Sequence, residues 1–312
     1  MRKWLISVGL SLSVILVGCA QTTTQGNSAG DQEGPIQVTA TIGMITDIVK
    51  EVGGEHVEAV GLMKAGVDPH LYKASQGDIK KLDEADLIFY NGLHLEGKMG
   101  DILEKMSSTK PTVAVTDGID RSQLLAGDAS LGEEFDPHVW FNVQLWMKAV
   151  EKVRDELSAF DSKHQADYQK NAEEYLKKLE ELDAYAKEQL ASIPKESRVL
   201  VTAHDAFGYF GEAYDMEVRG LQGLSTASEY GSKDVTELRD YLVSKKIKAV
   251  FVESSVPQKA IESVVEGAKE MGHELKIGGE LFSDAMGKEG TEEGTYIGMV
   301  RHNVDTIVNA LK

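Results

Sequence analysis

Between Asp161 and Ser192 the chain runs without a glycine or a proline, and that uninterrupted run constrains the fold more than any other feature. Ala172, Leu176, Leu179, Leu182, Ala186, Leu190 and Ile193 recur at three- and four-residue steps, with Lys and Glu between them. This is the pattern of one long amphipathic helix. Two shorter helices would need a breaker that the segment lacks until Pro194 ends it. Some 30 residues of helix reach ~45 Å, the length of a two-lobed protein rather than of one small domain. The ~277 residues after Pro35 also exceed the usual size of a single domain.

On either side of this helix the pattern alternates strand and helix. Before it, Gln37–Thr41, His56–Leu62, Leu87–Tyr90 and Thr112–Val115 read as strands, with helices at Met44–Val52, Gln76–Leu82 and Gly97–Met106. After it, Arg198–Thr202, Ala249–Val252 and Leu275–Ile277 read as strands, with helices at Phe207–Tyr214, Asp234–Lys245, Ala260–Met271 and Gly294–Leu311. A βαβα order argues for parallel sheets covered by helices. The expected fold is therefore α/β: two pseudo-symmetric lobes with small parallel sheets, residues 36–160 and 194–312, joined by one rigid helix over 161–193. Ligands of such sheets sit beyond the carboxyl ends of the strands, so two lobes facing each other would line a shared cleft.

The N-terminus carries an address. Arg2 and Lys3 precede an apolar run, Trp4–Val17, that is too short for a secure membrane span and has the order of an export signal. Leu16-Val17-Gly18-Cys19 resembles a bacterial lipobox, so residues 1–18 read as a lipoprotein signal peptide and Cys19 as the lipidated residue. Cys19 is the one cysteine, which excludes an intramolecular disulfide. Residues 19–35, rich in Gln, Thr, Gly and Ser, read as a flexible tether. A chain anchored in this way works at the outer face of the cell membrane. Removing Arg2 and Lys3 takes the formal charge from −18 to −20. Such an acidic surface repels nucleic acid.

The tripeptide Asp-Pro-His occurs twice, at Asp68-Pro69-His70 and Asp136-Pro137-His138. Asp is a good N-cap and Pro is pre-set for the first helical position, so each His is expected at the mouth of a new helix. A single copy reads most simply as a helix start with a solvated His; two copies read as half of a metal site. The second half of the chain offers His204, directly after the strand ending at Thr202, and Asp284, after the Ile277-Gly278-Gly279 region. Three imidazoles and one carboxylate suit Zn²⁺ or, with a bidentate carboxylate, Mn²⁺. The four lie 68, 66 and 80 residues apart, so their spacing forms no motif; only their shared place in a repeated plan joins them.

Taken in order, Gly66-Val67-Asp68-Pro69-His70, Phe135-Asp136-Pro137-His138-Val139-Trp140, Thr202-Ala203-His204-Asp205-Ala206-Phe207, Gly220-Leu221-Gln222-Gly223-Leu224-Ser225 and Ser283-Asp284-Ala285-Met286-Gly287 resemble the metal-binding lipoproteins of bacterial manganese and zinc ABC importers. These are the cluster A-I solute-binding proteins, and the nearest counterpart is the Bacillus-type manganese-binding group. The resemblance runs from the lipobox to Lys312. It implies a metal held between two lobes by His70, His138, His204 and Asp284, a permease as partner, no catalysis and a monomer. On the ion it points two ways. Manganese-dedicated relatives tend to carry Glu where this chain has His204, whereas zinc-dedicated ones tend to carry three His and a His-rich loop. Here Asp120–Glu134 is short and has no His. Manganese is the expected cargo, zinc the alternative.

Other residues read more plainly. His94 is expected to pack or hydrogen-bond beside the site. Glu253 either fixes the tautomer of a ligand imidazole or caps the next helix. Asp205 reads as a helix cap, Trp140 and Phe141 as wall or core, and Asp78–Glu84 as a solvated helix face. His56, His164, His273 and His302 read as surface residues. A secreted zinc hydrolase is the rival class, but neither His-Glu-x-x-His nor Gly-x-Ser-x-Gly occurs.

Overall fold

The structure is a computed structural model, described here for residues 34–312. The export segment, Cys19 and nearly all of the expected tether lie outside the described residues. The first half begins with strand β1 (Ile36–Ala40), helix α1 (Gly43–Gly53) and β2 (Val57–Gly61). It continues with α2 (Gln76–Glu84), β3 (Leu87–Tyr90), α3 (Gly100–Ser107), β4 (Thr112–Ala114) and α4 (Val143–Phe160). Its sheet has the order β2-β1-β3-β4 and is parallel throughout, with Val38 opposite both Ala59 and Leu87.

The second half holds β5 (Val199–His204), α6 (Gly208–Tyr214), β6 (Glu217–Gln222), α7 (Ser232–Lys245), β7 (Ala249–Glu253), α8 (Lys259–Glu270), β8 (Lys276–Leu281) and α9 (Tyr296–Leu311). Here β5 pairs with β6 and β7 with β8, both parallel, and β5 and β7 run side by side. All six residues of β5 are buried, as a strand covered on both faces requires.

Helix α5 (Gln165–Ala191) follows a short 3₁₀ turn at Ser162–His164, so the long helix starts a few residues later than its pattern predicts. Its 27 residues span ~40 Å. Tyr168, Ala172, Tyr175, Leu179, Leu182, Ala186 and Leu190 form its buried stripe, which lies against α1 and α4 of the first half and α6 and α9 of the second. One apolar cluster accordingly runs from β1 and α1 through α4 and α5 to α9, while a smaller one fills the second half around Val201, Leu242, Val250 and Ile261. Such burial of long aliphatic side chains contributes roughly 1.5–3 kcal/mol each and makes α5 a strut packed on both lobes.

Three local findings differ from the sequence pattern. Helix α4 and strand β6 were not among the expected elements. In β6, Gly220 lies so close to the second half's chain that a Cβ there would sit 2.4 Å from the Asp205 amide nitrogen; the edge strand reads poorly because one of its residues must be small. Asp78 is no solvated residue: it forms a capping box with Ser75 and also accepts from Tyr72 Oη at 2.7 Å. Among the described residues no helix is long and apolar enough to cross a membrane.

Candidate metal centre

Two of the four candidate ligands stand at strand ends, His204 closing β5 and Asp284 following β8, whereas His70 and His138 come from loops, the latter well past β4 and just before the turn into α4. His70 sits in the loop after β2, where the Asp68 carboxylate accepts the His70 amide at 2.9 Å. His138 is placed in the same way by Asp136, which accepts the amide at 2.9 Å and also faces the ring Nδ1 at 2.7 Å. Neither Asp-Pro-His copy begins an α-helix: the first forms a turn well before α2, and the second leads through a 3₁₀ turn to α4, capped by Asn142. Each Asp brackets its own His instead of a helix. That leaves each imidazole on a short bend held by its own aspartate.

His204 is the last residue of β5. Glu253, the last residue of the neighbouring β7, accepts the His204 amide through Oε1 at 2.8 Å and places Oε2 2.5 Å from Nδ1. Asp284 follows β8 on a loop braced by Asn303 of α9, which exchanges hydrogen bonds with the backbone of Phe282 at 2.9 and 2.7 Å. Trp140 ties the loops of two ligands together. Its indole donates to the Ser283 carbonyl at 3.0 Å, and its ring meets that of His138 edge-on at 5.2 Å. Trp140 and Phe141 are both buried, the latter stacked on Phe207 at 4.2 Å.

At the centre, ligand-type atoms of His70, His138, His204 and Asp284 all lie within 4.8 Å of one another. His70 Nε2 and His138 Nε2 are 3.2 Å apart. Asp284 Oδ1 is 3.5 Å from His138 Nε2, and Oδ2 is 3.3 Å from His204 Nε2 and 3.8 Å from His70 Nε2. A tetrahedron of N and O donors around an ion at 2.0–2.2 Å has edges of roughly 3.3–3.6 Å. The four separations here, 3.2–3.8 Å, are near those that such an ion needs, within a group that spans at most 4.8 Å. All four residues are at most 4% exposed. Both ring nitrogens of His204, Glu253 Oε2 and both Asp284 oxygens make no hydrogen bond, the His204–Glu253 pair meeting only as a close ion pair, and buried polar groups without partners are costly. The donor set therefore fits a cation. Among the described residues no other group of three or more His, Cys, Asp or Glu is placed to hold one.

Electrostatics agree with the geometry. Burial pushes the His70 imidazole down to about 3, so it offers a free lone pair. Burial would also depress His138 and His204, but Asp136 and Asp284 hold His138 up at about 9, and Glu253 with Asp284 hold His204 well above its ordinary value. Burial would raise Asp284, yet His204 and His138 draw it well below the usual carboxylate range. A metal ion arriving here replaces protons that these carboxylates retain.

His94 is exposed and lies outside the four-residue group, in a turn where Leu93 and His94 both adopt positive φ, 51° and 70°. That turn serves the site through a residue the sequence did not single out. Glu96 is buried, accepting Thr41 Oγ1 at 2.6 Å and the Asn91 amide at 2.7 Å, and Asn91 Nδ2 donates to the Pro137 carbonyl at 3.0 Å beside His138. Asp205 caps no helix: α6 begins at Gly208 with Phe207 at its cap position, and burial raises the Asp205 carboxyl, with Asp136 adding to the shift.

Comparison with known proteins gives a consistent set of matches. The sequence model of the family described as zinc-uptake complex component A periplasmic (ZnuA) matches residues 38–310. The manganese-binding lipoprotein MntA of Bacillus subtilis (strain 168) is 53% identical over 312 residues, covering 100% of both chains. The zinc-binding protein TroA of Treponema pallidum (strain Nichols) is 49% identical over 286 residues, 92% of each chain. The solved structure of the periplasmic zinc binding protein TroA from Treponema pallidum superposes with a TM-score of 0.86 at 50% identity, covering 89% of this chain and 99% of that one.

Proposed function

This chain belongs to the ZnuA family of metal-binding, substrate-binding transport components, and from that premise we propose that it captures Mn²⁺ between its lobes and delivers it to the permease of an ABC importer. His70, His138, His204 and Asp284 are the proposed ligands. The observation that carries this reading is the convergence of their four buried donors, three of whose atoms make no hydrogen bond.

Four protein ligands, one able to bind through both oxygens, fill the coordination of a first-row ion. A hydrolytic site instead keeps one position open for water and a base beside it; the carboxylates here, Asp136 and Glu253, face the far nitrogens of the imidazoles. Binding without turnover is the consequence. We place the protein as a monomer on the outer face of the cell membrane, anchored through a lipid on Cys19 after removal of residues 1–18. Residues 36–160 and 194–312 would act as the two lobes, hinged against the helix over 161–193.

Zinc is the second reading, favoured by one specific observation: the third donor is the imidazole of His204, a softer ligand than a carboxylate. Affinity does not discriminate, because Zn²⁺ outbinds Mn²⁺ in most such sites. The deciding experiment pairs competitive loading of the purified protein with Mn²⁺ and Zn²⁺ and uptake of each ion by cells lacking the gene. Lost Mn²⁺ uptake is expected. Lost Zn²⁺ uptake with Mn²⁺ uptake intact would overturn the manganese assignment.

A further inference from the structure

The two Asp-Pro-His copies spend their aspartates differently. In the second copy Asp136 serves His138 alone, holding both its amide and its ring. In the first copy Asp68 holds the His70 amide through Oδ1, and its other oxygen, Oδ2, accepts the hydroxyl of Thr226 at 2.6 Å. Thr226 belongs to the other lobe, 158 residues away in sequence, on the loop after β6. That loop is stiff. Gln222 Nε2 donates to the carbonyls of Thr226 and Ser228 at 2.7 and 2.5 Å, and Ser228 Oγ accepts the Gly223 amide at 3.2 Å. The facing loop of the first lobe is close-fitting too, since a Cβ on Gly66, at φ +73°, would lie 3.4 Å from the Ser254 carbonyl.

One ligand is consequently held less than the others. His138 has Asp136 and His204 has Glu253 at Nδ1, and Asp284 sits on a loop braced by Asn303 and by Trp140. Among the described residues no carboxylate faces the Nδ1 of His70. Its place depends on Asp68, and Asp68 is tied to the opposite lobe at a half-buried point on the rim.

We propose that Thr226 is a positioning residue for His70: its hydrogen bond to Asp68 clasps the two lobes beside the metal, and breaking it lets His70 leave the ion first. The inference rests on the proposed role of the cleft in metal capture. Release then begins at the rim, where the first lobe's loop moves off with His70, while His138, His204 and Asp284 remain in their braces. Thr226 touches no ion itself. It sets how long the ion stays.

The test uses the full-length protein in detergent, loaded with Mn²⁺ or with Zn²⁺ and mixed rapidly with excess chelator. Thr226→Val keeps the shape and removes the donor; Thr226→Ser restores the donor. Release from T226V should be about tenfold faster or more, the change that follows loss of a hydrogen bond to a charged acceptor, while T226S stays near wild type. Equal rates for wild type and T226V, or a T226S rate as fast as that of T226V, overturn the proposal. A second readout needs no metal. Amide hydrogen exchange over residues 64–72 and 222–231 should rise in metal-free T226V but not in T226S, and unchanged exchange overturns the clasp itself. A wild-type protein that binds neither ion would instead overturn the functional reading, with the exchange arm still reporting on the clasp.

Discussion

Glu253 accepts the His204 amide at 2.8 Å and forms an ion pair with its ring Nδ1 at 2.5 Å. The carboxylate closes the gap between the ends of β5 and β7, and it leaves Nε2 as the nitrogen that meets Asp284 at 3.3 Å. Glu253→Gln tests the second consequence. The Gln carbonyl can still accept the amide, but its NH₂ then faces Nδ1 and drives the proton to Nε2, where it blocks the ion. Metal affinity should fall about 10–100-fold, the range seen when the partner of a ligating imidazole is lost, with little change in the melting temperature of the metal-free protein. Competition titration against a chelator of known affinity reads it; unchanged affinity would rule out a role for Glu253 in setting the tautomer.

How much of this was legible beforehand differs from residue to residue. His204 and Asp284 stand at strand ends, as their place in the repeated plan suggests, but His70 and His138 sit in loops away from the strands, so the shared plan nominates them less directly than it does the other two. The long helix was plain, because its stripe of Leu and Ala repeats without a breaker; Tyr168 and Tyr175 complete that stripe in the structure. Glu96 and Thr226 were not legible. Their partners, Thr41 and Asp68, lie 55 and 158 residues away, and a hydrogen bond across such a distance leaves no local pattern. Asp136 and Asp68 were seen but given a helix-capping role, since Asp-Pro favours both a helix start and the tight bracket that forms here. Helix α4 does carry a readable signal in Leu145, Trp146, Ala149, Val150, Val153 and Leu157; the aromatic pair before it, Trp140 and Phe141, draws attention to the cleft instead.

The ligand assignment makes a ranking. His70→Ala and His138→Ala each remove a buried donor from the cluster and should abolish tight binding of Mn²⁺ and Zn²⁺. His94→Ala, at an exposed turn position outside it, should leave most of the affinity. Titration of the three variants against a common competitor decides the order, and a reversed ranking would sink the assignment.

Metal should also be a stabiliser. The buried donors of His204 and Asp284 that make no hydrogen bond are held by an ion in the loaded site, and the unfolded chain has no such site. Stability then rises by RT ln(1 + [L]/Kd), about 4 kcal/mol at a thousandfold excess over Kd. Binding should release protons, because the imidazoles of His138 and His204 keep theirs until displaced. Calorimetry in buffers of different ionisation enthalpy measures the release. A melting temperature indifferent to metal and chelator would contradict the site altogether.

The last prediction concerns the strut rather than the ion. Asp47 of α1 accepts Tyr175 Oη of α5 at 2.7 Å and the Tyr296 amide of α9 at 3.3 Å, so one carboxylate joins the first lobe, the long helix and the second lobe. Burial raises its pKa from 3.8 to about 6, partly opposed by the bonds from Tyr175 and Tyr296; Glu51 adds to the rise and Lys50 works against it. With the folded pKa above the unfolded one, the native state binds the extra proton between these two values. The stabilisation is therefore complete below about pH 4 and is lost as pH rises through about 6. The shift corresponds to on the order of 3 kcal/mol. Asp47→Asn keeps an acceptor for both donors and has no charge to bury. Its stability should exceed that of wild type near pH 7–8 by an amount of about this order and converge with it toward pH 4. Denaturant unfolding of the metal-free proteins in chelator, across that range, separates this effect from metal linkage. A difference between the two proteins that does not vary with pH would mean that Asp47 ionises in the fold as readily as in the unfolded chain.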